Sequence, residues 1–206
     1  MNKGRTSTKR KRAYRQGARA EAAQAAADRI ITVFSDRLRD DWFDQIRLED
    51  VAADAGVSVQ TVIRRFGGKE GLIDAVHERM GREILARRIA PKGDIAAGVK
   101  VLVEDYEEAG ATVMRALAQE DRFPAIRQVT DIGRKAHRGW LAELFADSLA
   151  PLPAAKARAL LDALVVATDL YVWKLIRVDM RRSVAELQKL MEAMIRDALR
   201  RAQSEL

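Results

Sequence analysis

The chain of 206 residues has no cysteine, which excludes disulfides and thiolate metal ligands and fits a reducing compartment. Histidine is nearly as scarce, with only His77 and His137. No HExxH, GxGxxG, P-loop or GxSxG pattern occurs, so a metal centre or hydrolytic triad would have to be assembled from isolated residues. We therefore expect no enzyme, no metal and no cofactor. No apolar run reaches the roughly 20 residues that span a bilayer, and no apolar segment follows the basic N-terminus as in a secretory signal. The expectation is a cytoplasmic protein with no membrane partner. Strand signals are also missing. Hydrophobic residues nevertheless make up 48% of the chain, enough for a sizeable core, so the fold should be all-α.

The net charge of +7 is unevenly spread. Residues 1–19 carry Lys3, Arg5, Lys9, Arg10, Lys11, Arg12, Arg15 and Arg19 and no acid. Through residue 72 there are 15 basic and 10 acidic side chains, against 22 and 20 in the remainder. A basic end of this kind is drawn to phosphates by counterion release.

Within that basic part, residues 48–72 read LEDVAADAGVSVQTVIRRFGGKEGL. Leu48, Val51, Ala52 and Ala55 recur at three- and four-residue steps, giving a short helix with one apolar face. Gly56 suits a left-handed stop, Val57 a plug between helices, and Ser58 an N-cap. The next helix buries Val62 and Phe66 and leaves Gln60, Thr61, Arg64 and Arg65 outward. A small helix bracing a second one with a polar, cationic outer face is the geometry of a helix-turn-helix that places its second helix in the DNA major groove.

The same stretch resembles the DNA-binding motif of the TetR family of bacterial transcriptional regulators. The matching residues are Val51, Ala52, Ala55, Gly56, Val57, Ser58, Thr61, Phe66, Lys69 and Leu72. Two positions depart from the pattern. Ile63 stands where the family usually has tyrosine, and Arg47 where it has threonine or serine. The resemblance implies DNA contacts from Arg47, Ser58, Val59, Gln60, Thr61, Ile63, Arg64, Arg65 and Lys69. Gln60 suits a base edge, Val59 and Ile63 thymine methyls, and Arg64, Arg65 and Lys69 phosphates, with Arg64 also able to reach guanine. Lys69 opens the following helix, where an ammonium and free backbone amides together suit a phosphate.

Around the motif, residues 1–17 read as a flexible basic arm. Ala23, Ala27, Ile30, Ile31, Phe34 and Leu38 predict a helix from Ala18 to about Arg39 that completes a three-helix head over residues 18–80. Trp42, Phe43 and Ile46 are expected to anchor the intervening turn in its core. Pro91, Gly93 and Asp94 mark the first clear break, so the boundary to the second helical domain, residues 81–206, falls between residues 81 and 94. There a helix begins at Ile95 and is expected to stop at Ala109-Gly110, with a shorter one following through Val113, Met114 and Leu117. Phe123-Pro124 precedes a helix of roughly twenty residues that ends before Pro151 and Pro153. Residues 159–173 are apolar almost all round, as in a helix covered on both sides. Ser183 and Glu186 form a capping box ahead of a stripe from Leu187 to Ala198.

These last two helices suit a homodimer interface, which the resemblance also implies. It further implies a small-molecule effector held in the second domain. Tyr106, Met114, Leu117, His137, Trp140, Leu144, Val165, Thr168 and Tyr171 are the candidates to line its pocket. The fold expected is thus an N-terminal helix-turn-helix head followed by a larger helical ligand-binding and dimerisation domain. The function expected is a dimeric repressor of a palindromic, double-stranded DNA operator, released by an apolar or aromatic ligand. An architectural or cell-cycle DNA-binding factor with the same head and no effector is the alternative.

Overall fold

The computed structural model describes residues 4–204, and every regular element among them is helical. It divides into two compact units, one ending at Val76 and the other starting at His77.

The first unit contains α1 (Gly4–Asp40), α2 (Leu48–Asp54), α3 (Val59–Phe66) and the start of α4 (Lys69–Arg87). Ala27, Ile30 and Phe34 on α1 are buried with Ile46, Val51, Ala52, Val62, Leu72 and Val76. This is one apolar stripe per helix meeting in a common core. Two side chains tie α1 to α2: Arg37 Nη2 donates to Asp54 Oδ2 at 2.5 Å, and Arg29 Nε donates to the Ala55 carbonyl at 3.3 Å. Gly71 lets α4 pass close to the end of α3, because a Cβ there would lie 1.8 Å from the Phe66 carbonyl oxygen.

Two expectations are corrected in this unit. α1 begins at Gly4, so the backbone is already helical where an irregular arm was expected. Alanine, arginine, lysine and glutamine are good helix formers, and lengthening an existing helix needs no new nucleus. Residues 1–3, including Lys3, lie outside the described residues. Trp42 does not join Phe43 and Ile46 in the core but stays 41% exposed, since the turn brings only its neighbours inward.

The second unit comprises the remainder of α4 with α5 (Ile95–Leu117), α6 (Pro124–Leu144), α7 (Ala146–Leu149), α8 (Ala154–Ala167), α9 (Leu170–Trp173), a π-helical segment (Lys174–Asp179) and α10 (Val184–Ser204). Its core joins Val99 and Val103 of α5, Leu141 and Leu144 of α6, Leu160 and Leu164 of α8, Trp173 of α9, and Leu187, Met191 and Ile195 of α10. The capping box is present: Ser183 N–H donates to Glu186 Oε2 at 2.8 Å, and Glu186 N–H to Ser183 Oγ at 3.2 Å.

Here too the structure alters two expectations. α5 runs unbroken through Ala109-Gly110. Gly110 is not a helix stop but a seat for Trp173, whose ring carbons would lie 2.8 to 3.1 Å from an added Cβ. Conversely, residues 159–173 are two helices, because Thr168 and Asp169 interrupt them. The Thr168 hydroxyl donates back to the Leu164 carbonyl at 2.8 Å, and Asp169 Oδ1 accepts from the Tyr171 amide at 2.8 Å as an N-cap.

Candidate nucleic-acid interface

The turn between α2 and α3 is fixed by its own backbone. Gly56 takes φ +66°, its N–H donates to the Ala53 carbonyl at 3.1 Å, and the Val57 N–H donates to the Ala52 carbonyl at 2.9 Å. This pair of bonds is a Schellman stop, which satisfies carbonyls that the ended helix leaves over. Ser58 then accepts from the Thr61 amide at 3.2 Å, and the two hydroxyls lie 2.9 Å apart. α3 closes at Gly67 with φ +78°. Stop, cap and close all lie within twelve residues, so the helix pair is set by local chemistry.

With Val62 fully buried and Phe66 half-buried, α3 turns Gln60, Ile63, Arg64 and Arg65 to the surface. Ile63 is 42% exposed. Val59 and Thr61 are half-buried along the edges of this face. Arg64 has no partner among the described residues, whereas Arg65 Nη2 donates to Gln24 Oε1 of α1 at 3.1 Å. Gln24 was not singled out in the sequence, and only a fold that brings residues 24 and 65 together reveals it. Arg47 is exposed at the start of α2, with Nε 3.8 Å from Glu49 Oε2.

Lys69 differs from the outward phosphate clamp expected of it. Its ammonium donates to the Phe43 carbonyl at 2.5 Å and lies 4.5 Å from the centre of the Phe43 ring. Burial lowers its pKa below the usual lysine value, with the nearby Asp44 acting the other way. The side chain thus pins the turn before α2 to the start of α4.

Residues 43–76 match the family of bacterial regulatory proteins named for TetR. The head of this chain is thus similar to the DNA-binding segment of those transcriptional regulators. The match spans the Phe43 anchor, both motif helices and the α4 residues that close the TetR-like head. None of the curated proteins is a significant match. Among solved structures, a transcriptional regulator from Rhodococcus sp. Rha1 is 16% identical, with a TM-score of 0.65 over 84% of this chain and 95% of that one. At that identity the likeness concerns the fold. Among the described residues, no helix is long and apolar enough to cross a membrane.

In the second unit, four of the nine pocket candidates form one polar cluster. Tyr106 Oη donates to the Thr168 carbonyl at 3.0 Å, His137 Nε2 lies 3.0 Å from Thr168 Oγ1, and the rings of His137 and Trp140 stack with centroids 6.1 Å apart. Met114, Leu117 and Val165 are half-buried against the same core, and Leu144 is within it. Tyr171 departs from expectation. The break at Thr168 turns it outward, 55% exposed.

The cluster also contains a residue pair missed in the sequence. Arg88 Nε donates to Asp105 Oδ2 at 2.6 Å, Arg87 Nε reaches Asp105 Oδ1 at 3.2 Å, and Asp105 is 3% exposed. Removing one member of such a buried pair strands the other and costs about 3–5 kcal/mol. The Arg88 guanidinium also lies 5.8 and 5.6 Å from the ring centres of Tyr106 and Trp140. Burial, aided by the Arg88 charge, lowers the His137 pKa to about 4, and burial raises that of Tyr106. Both are therefore neutral near pH 7.

Proposed function

We propose that the chain is a dimeric repressor that reads a palindromic operator with the exposed face of α3 and leaves it when a small molecule binds the second unit. The observation that carries this reading is the outer face of α3. Gln60, Ile63 and Arg64 are solvent-facing on a helix capped at both ends, and Arg64 is without a partner among the described residues. In a major groove, Gln60 reads adenine, Arg64 reads guanine, and Ile63, joined by Val59 at the helix edge, meets thymine methyls. Arg65, steadied by Gln24, and Arg47 bind phosphates, while Ser58 and Thr61 fix the start of the helix. The basic N-terminal part of α1 adds a further salt-sensitive contact. DNA binding of this kind belongs in the cytoplasm.

The dimer is supported by an apolar surface on the second unit. Val166, Tyr171, Leu175, Val178 and Met180 are each at least 50% exposed, in and just after the first of the two helices expected to pair. A second copy placed there brings two heads to one operator, and two-fold protein symmetry requires palindromic half-sites. In this scheme the effector acts through α4, the helix that begins at Lys69 in the head and ends at Arg87 in the second unit, so that ligand and operator affinities are linked.

The test is selection of bound sequences from random DNA, followed by titration with Gln60→Ala, Arg64→Ala and the double variant. Arg64→Ala should cost about 1–3 kcal/mol and relax one base position in each half-site. Binding of the double variant with undiminished specificity at physiological salt would remove α3 as the reading helix.

A further inference from the structure

We propose that the cluster of Tyr106, His137, Trp140 and Thr168 takes a neutral aromatic molecule bearing a hydroxyl or N–H group, which donates a hydrogen bond to His137 Nδ1. This rests on reading the second unit as the effector-binding part and names the chemistry of that effector.

One hydrogen sets the tautomer of His137. The Thr168 hydroxyl donates it to the Leu164 carbonyl at 2.8 Å, so toward His137, 3.0 Å away, its oxygen accepts. His137 Nε2 must then carry the ring proton, which leaves Nδ1 an unprotonated acceptor. Nδ1 is closed off from solvent and has no hydrogen-bond partner among the described residues. Buried polar atoms are nearly always paired, so a missing donor points to something that supplies one. Protonating Nδ1 does not resolve the deficit near neutral pH, since burial and Arg88 hold the imidazole pKa near 4.

The surroundings select the donor. The Arg88 charge is matched by Asp105 at 2.6 Å, so the cluster has no unbalanced charge to attract an ion. An anion would face the Nδ1 lone pair, and a cation would meet Arg88. A neutral ligand remains. Its aromatic character follows from the rings that already flank the cluster, Trp140 stacked on His137 and Tyr106 beside Trp173, and from Met114 and Leu117, half-buried beside the same core. Methionine in particular re-packs at little cost to admit a ring.

The experiment uses the full chain with phenol and indole as donors, anisole and N-methylindole as partners of the same ring without the donor, and benzoate as an anion. Binding is measured by calorimetry, and the imidazole nitrogens are followed by 15N NMR, where His77 is the only other histidine. The expected result is an Nε2-protonated His137 before ligand, phenol bound about tenfold more tightly than anisole, and an Nδ1 resonance displaced by phenol alone. His137→Phe should bring phenol down to the affinity of anisole, which serves as the internal reference for folding. If that variant fails to fold, the phenol-to-anisole ratio and the Nδ1 displacement in the unaltered chain decide.

Equal binding of phenol and anisole, or an Nδ1 resonance unmoved by every compound, would overturn the proposal and leave an ordered water as the partner of Nδ1. Operator affinity is read separately. Phenol bound through Nδ1 without loss of operator affinity sinks the release mechanism but not this chemistry. Release by a compound that ignores Nδ1 does the reverse.

Discussion

Replacing Gly110 by alanine should destabilise the second unit, although helix propensity alone argues the opposite. In the middle of α5 the substitution gains about 1 kcal/mol from intrinsic helicity. Against this, the new methyl would meet Trp173 at 2.8 Å from Cη2 and 2.9 Å from Cζ3, well inside contact distance. The ring is not free to retreat, because its Nε1–H donates to Glu107 Oε1 at 2.7 Å and Glu107 is in turn held by Arg177 at 2.7 Å. Overpacking of this kind costs about 1–3 kcal/mol, and losing a hydrogen bond to a charged group adds about 1.5–3 kcal/mol. The net expectation is a loss of about 1.5–5 kcal/mol. Urea unfolding followed by far-ultraviolet circular dichroism should show a lower midpoint with an unchanged slope. In a Trp173→Leu background the same alanine should become neutral or stabilising, since the contact is gone. Stabilisation of the otherwise unaltered protein by about 1 kcal/mol would show that Trp173 does not rest on Gly110 and would refute the reasoning.

Gly71→Ala should be more severe and confined to the head. The added Cβ meets a backbone carbonyl at 1.8 Å, which no rotamer change can relieve, so sequence-specific DNA binding should be lost while the helicity of the second unit remains. His137 makes stability depend on pH. Its folded pKa of about 4 lies below the ordinary 6.5, so on acidification the unfolded chain takes up a proton that the native one refuses. Stability should be at its full value above pH 6.5 and fall progressively toward pH 4, by on the order of 3 kcal/mol, and His137→Phe should flatten that slope. A slope unchanged by the substitution would assign the effect to other groups.

The reading head was legible from sequence because its signals are local. The Schellman stop at Gly56 and the cap at Ser58 each involve residues at most five positions apart, the apolar spacing that marks Val62 for burial spans a single turn, and each appears as expected. The second unit was legible only in part. Gly110 looked like a helix stop because a glycine within a helix signals either a break or a close neighbour, and the neighbour, Trp173, lies 63 positions away. Residues 159–173 looked continuous because apolar periodicity outweighed the Thr168-Asp169 pair, whose capping geometry was a local signal available to be read.

What the amino-acid order alone determined was the all-helical class, the helix-turn-helix, the capping box before α10 and the apolar face of each helix. These follow from residue type and spacing over a few turns. What only the tertiary structure decided was which polar groups meet in the interior: Arg88 with Asp105, Tyr106 with Thr168 across 62 residues, and His137 with the same threonine across 31. Hydrogen bonds between distant side chains depend on how whole helices pack, and no period along the chain records that.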